Sequence, residues 1–377
     1  MASAQSGPEL VAQPSTTLSE ASREVLLNAA IMAPTPDNSQ PWIFKLIEEG
    51  FELWLDPQRL GMFFDISNLC TAMAAGALIE NITVQAAALG LATHYVLHPG
   101  HAEKIASFRF EPAVGTQWGS LGPSCIYRRC TDRELYDRSR ALSDDAVARL
   151  RACITAQDAY GCQIYTGAAC RRAIGLMTTI DALRFSHERV HKDFYRQLRF
   201  GEAAANTRDG LAERTLGLGR LLTAALRLMR PWWLSRALNV LGLNVLSALR
   251  ATWLPCRSAP CLVALTHHGP CDYVEAGRVM QRFWLHATEL GISAQPFGAL
   301  TFFLARLHLA AGEGFSACQV AALHRVEAGF AEITPEFKSG RDQIIMIFRL
   351  GYAPKAPARS YRRPLADFVA TLPEEAR

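Results

Sequence analysis

No two of the ten cysteines stand in a C-x-x-C pair, and nothing around them resembles the dense framework of a small secreted domain. They read as reduced, mostly buried thiols, so a cytoplasmic protein is expected. The first twenty residues lack the basic and apolar regions of a secretory signal, and residues 1–17 read as a mobile tail. The longest stretch without Asp, Glu, Lys or Arg, Asn81 to Ala102, is broken by Gly90, Pro99 and Gly100, so no integral membrane span is expected. Thirty-nine basic residues against 35 acidic ones leave +4 with no basic tail or stripe, which argues against a nucleic-acid partner. No G-x-S-x-G or G-x-x-x-x-G-K run occurs. Gly217-Leu218-Gly219 stops short of a dinucleotide fingerprint, because Leu222 stands where the third glycine belongs.

What is present is length and repetition. A chain of 377 residues, half of them hydrophobic, is too long for one modest core. Gly76 to Leu91 (GALIENITVQAAALGL) aligns without gaps to Gly277 to Ile292 (GRVMQRFWLHATELGI), and both read as helices that end at a glycine. Upstream, Leu18-Ser19-Glu20 parallels Leu142-Ser143-Asp144, with Ser19 and Ser143 as N-caps. These pairs stand 201 and 124 positions apart, so the second copy carries 77 residues more than the first. Their place is about 185–258, where a charged amphipathic helix and a polar hinge precede an apolar stretch punctuated by Arg220, Arg227, Arg230, Arg236 and Arg250. A helical hairpin covering another surface fits that texture; the rival is an interfacial membrane segment with Trp232-Trp233 as its foot.

Short strands are expected at Trp42 to Leu46, Phe51 to Leu55, Gln163 to Thr166, Cys261 to Thr266 and Ile344 to Leu350, which with long helices gives an α+β fold.

Around Ala30 the chain reads AAIMAPTPDNSQPWIF, a helix stopped by Pro34 and Pro36, then a polar loop into a strand. Arg128-Arg129-Cys130-Thr131-Asp132-Arg133 stands just ahead of Leu142-Ser143, and Gly351-Tyr352 is followed by Arg359 and Tyr361-Arg362-Arg363-Pro364. Gln295-Pro296-Phe297-Gly298 follows the second repeated helix. Together these resemble the flavin-dependent nitroreductase family, and most of all its tandem, Acg-type members. Those also carry a T-D-R run and an R-D-G-L segment, here Thr131-Asp132-Arg133 and Arg208-Asp209-Gly210-Leu211.

The resemblance implies a nitroreductase-like fold, internally duplicated as a fused pseudo-dimer. A first half would cover 18–127 and a second half 128–377, with a helical lid inserted at about 185–258. It implies one complete FMN site. Arg129, Thr131 and Arg363 would bind the phosphate, with Arg128 and Arg362 adding charge, because a dianion needs forked donors and a hydroxyl. Arg133 would meet the flavin ring edge, and the Pro34, Thr35 and Asn38 loop would contribute from the other half. The Pro296, Phe297 and Gly298 turn would bring backbone N–H groups to the ring. The family's acidic residue in that turn is absent here. NAD(P)H is the implied co-substrate, passing hydride to flavin N5 before a small organic acceptor takes electrons in a ping-pong scheme. A fused pseudo-dimer can work as a monomer, with a higher oligomer left open.

Two other readings stand beside it. A lidded protein of this kind could store or sequester FMN without turnover. His187-Glu188-Arg189-Val190-His191 is an H-E-x-x-H run, which could bind zinc with Glu188 as base in a metallohydrolase. Cys256, Cys261, His267, His268 and Cys271 fit no finger or ribbon spacing and read as structural.

Overall fold

The computed structural model of the protein describes residues 18–113, 121–155, 159–334 and 336–370; the tail expected at 1–17 lies outside them. These residues form mixed helix and sheet. In the first sheet the strand order is Val369–Ala370, Trp42–Ile47, Gly50–Leu55, Lys104–Pro112 and Leu91–Leu97. The expected hairpin is there, with Trp42 opposite Leu55 and Ile47 opposite Gly50. Alternation sends Trp42, Phe44, Phe51 and Leu53 into the core, where Phe44 and Phe51 meet edge to face. The second sheet runs Tyr160–Tyr165, Cys261–His267, Gln343–Gly351 and Ser293–Phe297, each neighbouring pair antiparallel. Cys261–His267 is buried along its whole length, which is why it reads as an unbroken apolar run.

The strands Leu91–Leu97, Lys104–Pro112 and Ser293–Phe297 were not expected from the sequence. Val369–Ala370, which follows all of the second sheet, crosses back to pair in parallel with Trp42–Ile47.

Between the sheets lie the two repeated helices, Leu69–Ala88 and Tyr273–Glu289. Their aligned glycines mark the crossing. A Cβ on Gly76 would stand 2.8 Å from the carbonyl carbon of Val274, and one on Gly277 would stand 2.6 Å from that of Met73. Met73 and Val274 are themselves 201 positions apart, so the contact is reciprocal. The terminal glycines of the alignment match too: Gly90 has φ +71° and Gly291 +68°, the left-handed cap that L side chains avoid. Ser19 accepts from the Ser22 amide at 3.1 Å and Ser143 from the Ala146 amide at 3.2 Å, as N-caps do.

The polar contacts across the crossing are few and specific. Gln281 Nε2 donates to Asn81 Oδ1 at 2.7 Å. The Glu80 carboxylate, 2% exposed, accepts from Arg282 Nε at 2.7 Å and Arg278 Nε at 3.3 Å. Glu80→Gln takes the anion from largely desolvated Arg282 and leaves Arg278 with Glu275 alone, 3.1 Å away, so it is expected to cost ~3–5 kcal/mol of stability. Denaturant unfolding at neutral pH measures this, and a loss below ~1 kcal/mol would show that solvent compensates those cations.

The inserted segment is helical at Glu188–Gln197, Ala203–Thr207, Arg220–Leu228, Trp232–Asn239 and Leu243–Ala248. It lies across the segment between Leu55 and Leu69. Asp193 accepts from the Phe63 amide at 2.6 Å, Arg59 pairs with Asp209 at 2.8 Å, and the His187 ring stacks on Phe63 at 4.2 Å. The long apolar helix from Ile66 to Ala88 has the length and composition of a membrane span, but 89% of that window is buried inside the protein.

Candidate functional site

The loop after the Glu20–Ala30 helix is forced into an unusual shape. Asp37, Asn38 and Gln40 all have positive φ, at 46°, 58° and 50°, without being glycine. Two prolines limit the alternatives on the N-terminal side, and hydrogen bonds fix the rest. Gln40 is fully buried, its amide N–H donating to Thr35 Oγ1 at 3.2 Å and its Oε1 accepting from the Arg363 backbone at 3.0 Å. Asn38 Nδ2 donates to the carbonyls of Gly210 and Tyr361, both at 3.1 Å, while Oδ1 accepts from Arg362 at 2.6 Å. Residues 38, 210 and 362 thus meet at one side chain.

Around it gather cations. Arg362 Nε donates to the Ile31 carbonyl at 3.0 Å, and Arg129 donates to that of Met32 at 2.9 Å. Both guanidiniums therefore sit at the C-terminal end of the first helix, where the last carbonyls lack partners and the dipole is negative. Arg129 is 5% exposed, lies 4.4 Å over the Trp284 ring, and keeps a buried Nε with no partner. Among the described residues neither arginine has a carboxylate within ion-pair distance. Burial, with the Arg362 and Arg359 charges added, pushes Arg129 down to about 9; burial and Arg359 push Arg362 down to about 10. Guanidinium holds its proton regardless, so the directions express an uncompensated positive site. What such a site wants is an anion.

The other expected residues divide. Arg359 joins the group, donating to the Arg128 carbonyl. Arg363, the expected phosphate ligand, does not. Its Nε pairs with Asp367 at 3.3 Å and its guanidinium covers Phe368. Neighbours on an extended segment point opposite ways, so when Arg362 turns toward Asn38, Arg363 turns toward Asp367 and Phe368. Arg128 pairs with Glu289 at the surface. Thr131 and Arg133 line a small crevice shared with Arg214, Thr215, Gly217 and Pro357, and Arg133 donates to the Thr215 carbonyl at 3.0 Å. Pro34 and Thr35 hold the loop. Pro296, Phe297 and Gly298 form the strand-to-helix corner of the second sheet and make no hydrogen bond or ion pair to the Asn38–Arg362 group among the described residues.

Three residues not singled out by motif matter here. Gln40 ties the loop to the Arg363 backbone and to the Arg208 carbonyl at 2.9 Å. Asp37 sits deep between Arg133, Arg184 and Asp193, and burial raises its pKa despite the two arginines. Arg349, fully buried, spends its guanidinium on the carbonyls of Asp132, Glu134 and Pro255 and on Gln295, which positions the R-C-T-D-R segment beside the second sheet. An arginine inside the strand IIMIFRLG was the available signal.

The H-E-x-x-H residues serve packing. His187 caps its helix, accepting from the Val190 amide and bonding the Gly314 carbonyl at 2.9 Å, and His191 bonds the Arg230 carbonyl at 3.0 Å. The two rings are directed at different carbonyls, and no group of three metal-capable side chains occurs among the described residues.

The chain is 26% identical over 362 residues to an uncharacterised protein of Mycobacterium tuberculosis (strain CDC 1551 / Oshkosh). The match covers 90% of this chain and 47% of that protein, so the chain spans about half the length of the curated relative it matches. No protein-family profile matches. Among solved structures, a nitroreductase-like family protein from Bacillus cereus is similar with 14% identity and a TM-score of 0.33, covering 69% of this chain and 99% of that one. The FMN-dependent nitroreductase of Mycobacterium smegmatis, solved in complex with NADPH, is similar with 14% identity and a TM-score of 0.36, covering 66% and 96%. Scores and identities at this level carry no function across.

Proposed function

We propose that the chain is a flavoprotein that holds FMN by its phosphate at Arg129 and Arg362, on a doubled, nitroreductase-like scaffold. The observation that carries this reading is convergence. Asn38, Arg129 and Arg362 come from three separated motifs that resemble one family, and Arg362 joins Asn38 at 2.6 Å while sharing the Met32 carbonyl with Arg129. The donor set fits a phosphate: two deep guanidiniums, no carboxylate, and an unpartnered Arg129 Nε. The reciprocal crossing at Gly76 and Gly277 supports the doubled scaffold.

The residues around this clamp have separable tasks. Arg129 and Arg362 would neutralise the phosphate, and Trp284 holds the Arg129 guanidinium over its ring face and shields it from solvent. Arg133 and Asp37 would face the polar edge of the ring. When bound, FMN would supply hydride acceptance from NAD(P)H and delivery to a small organic acceptor, so no side chain of the protein need act as acid or base. Residues 208–215 would exclude water, because their carbonyls already take donors from Gln40, Asn38 and Arg133.

That last arrangement also favours a second reading, storage of FMN beneath a closed cover. One measurement separates them. Protein purified without added cofactor is expected to show oxidised-flavin absorption, and anaerobic NAD(P)H is expected to bleach it if the protein is an oxidoreductase. Colour that persists under NAD(P)H supports storage. A colourless protein that takes up no added FMN sinks both.

A further inference from the structure

Between Arg214 and Cys271 the chain has seven arginines and not one aspartate or glutamate. The same stretch holds most of the large apolar side chains that the protein leaves in solvent. Leu221, Trp233, Val240 and Leu241 are 88%, 70%, 85% and 82% exposed, and Leu228, Val245 and Leu246 are also out. Single exposed apolar residues need no explanation, but a run of them does.

These residues follow from an inverted pattern. The helices Trp232–Asn239 and Leu243–Ser258 meet at 97° around Gly242, whose φ of +89° makes the corner. On the inner side are the polar groups. Asn239 donates to the Phe185 carbonyl at 3.2 Å, Asn244 to the Ala182 carbonyl at 3.3 Å, and Ser235 to the Met229 carbonyl at 2.8 Å. Buried Thr252 bonds Asp181. On the outer side stand Trp233, Val240, Leu241, Val245 and Leu246. A water-facing helix normally does the opposite. The corner is thus pinned to the rest of the protein by its polar residues and presents its apolar tip outward.

We propose that this corner docks the protein on the surface of an anionic lipid bilayer, with Val240 and Leu241 entering the acyl boundary and the arginines meeting headgroup phosphates. Charge decides the occupant. Among the described residues Arg220 and Arg230 have no ion-pair partner, and the only arginine of the stretch with an acidic partner is Arg227, which takes Glu213 at 2.9 Å. A second copy packed on the same patch by a two-fold would set these unpaired arginines against one another. An anionic lipid surface offers both a phosphate for each arginine and an apolar layer for the tip, and an exposed tryptophan suits the boundary between them.

Co-sedimentation of the full chain with vesicles tests this. Phosphatidylcholine vesicles containing phosphatidylglycerol are expected to bind at least ~10-fold more protein than phosphatidylcholine alone, with most of the difference lost in ~0.5 M salt. Val240→Glu with Leu241→Glu is expected to reduce binding to the anionic vesicles at least ~10-fold while leaving thermal unfolding unchanged, since both side chains are in solvent. Binding that is absent, or equal on the two vesicle types, overturns the proposal. So does a wild-type dimer that the double variant converts to monomer, which would make the corner a self-association surface.

Discussion

Gly277→Ala is expected to lower stability by at least ~3 kcal/mol, which for a chain of this size is a fall of about 4 °C or more in Tm. The added methyl would stand 2.6 and 2.7 Å from the carbonyl carbon and Cα of Met73, on the backbone of the facing helix. A side chain could rotate away from such a clash, but a helical carbonyl cannot. Relief therefore requires the two central helices to separate, which opens the packing of Ala74, Ala77, Ala276 and Met280 between the sheets. Gly76→Ala should behave alike, with its methyl 2.8 Å from the Val274 carbonyl carbon and 2.9 Å from the Arg278 amide. Gly90→Ala supplies the control. It keeps a positive φ of +71° but faces open space, so its cost is confined to backbone strain of ~1 kcal/mol. Thermal unfolding of the three variants decides the matter. If Gly277→Ala stays within ~1 kcal/mol of the wild type, the close approach of the helices is not what holds the halves together.

That crossing was legible because helix ends and tight contacts demand particular residues. Ser19, Ser143, Gly90 and Gly291 announce caps whatever the fold, and the repeat carried Gly76 and Gly277 along. The unexpected strands lacked such marks. Leu91–Leu97 lies at a sheet edge and leaves Val96 exposed between Tyr95 and Leu97, so its residue types show no period of two. Ser293–Phe297 contains Pro296, which argues for a turn; the strand tolerates it because it too is an edge strand and needs no amide there. The return of Val369–Ala370 to the first sheet depends on where both sheets lie, which no local pattern encodes. The site divides in the same manner. Residue types were readable, since phosphate recognition needs guanidinium. Which of Arg362 and Arg363 turns toward Asn38 depended on the phase of an extended segment fixed by Gln40 and Asp367.

Arg129→Ala and Arg362→Ala are each expected to yield protein without bound flavin, whereas Arg363→Ala is expected to keep it. A charge-assisted hydrogen bond to a phosphate contributes ~1.5–3 kcal/mol, so losing one guanidinium costs at least ~10- to 100-fold in affinity per bond. Arg363 spends Nε and one Nη on Asp367 and its planar face on Phe368, so although its other Nη is unpartnered among the described residues, the charge is already neutralised by a carboxylate. The same substitutions carry a readout that does not depend on flavin. In flavin-free protein, the Arg362 and Arg359 charges add to the cost of burying Arg129, and Arg359 adds to that of Arg362. Inorganic phosphate should therefore stabilise the wild type by mass action, by ~2.7 kcal/mol at a hundred times its Kd, and should not stabilise Arg129→Ala. Arg129→Lys separates charge from shape: it keeps one cation but loses the fork and the stacking on Trp284, so it should retain part of the phosphate response and little of the flavin. If Arg363→Ala sheds the flavin and Arg362→Ala does not, the clamp belongs to Arg363, and Arg129 and Arg362 serve only to close the end of the first helix.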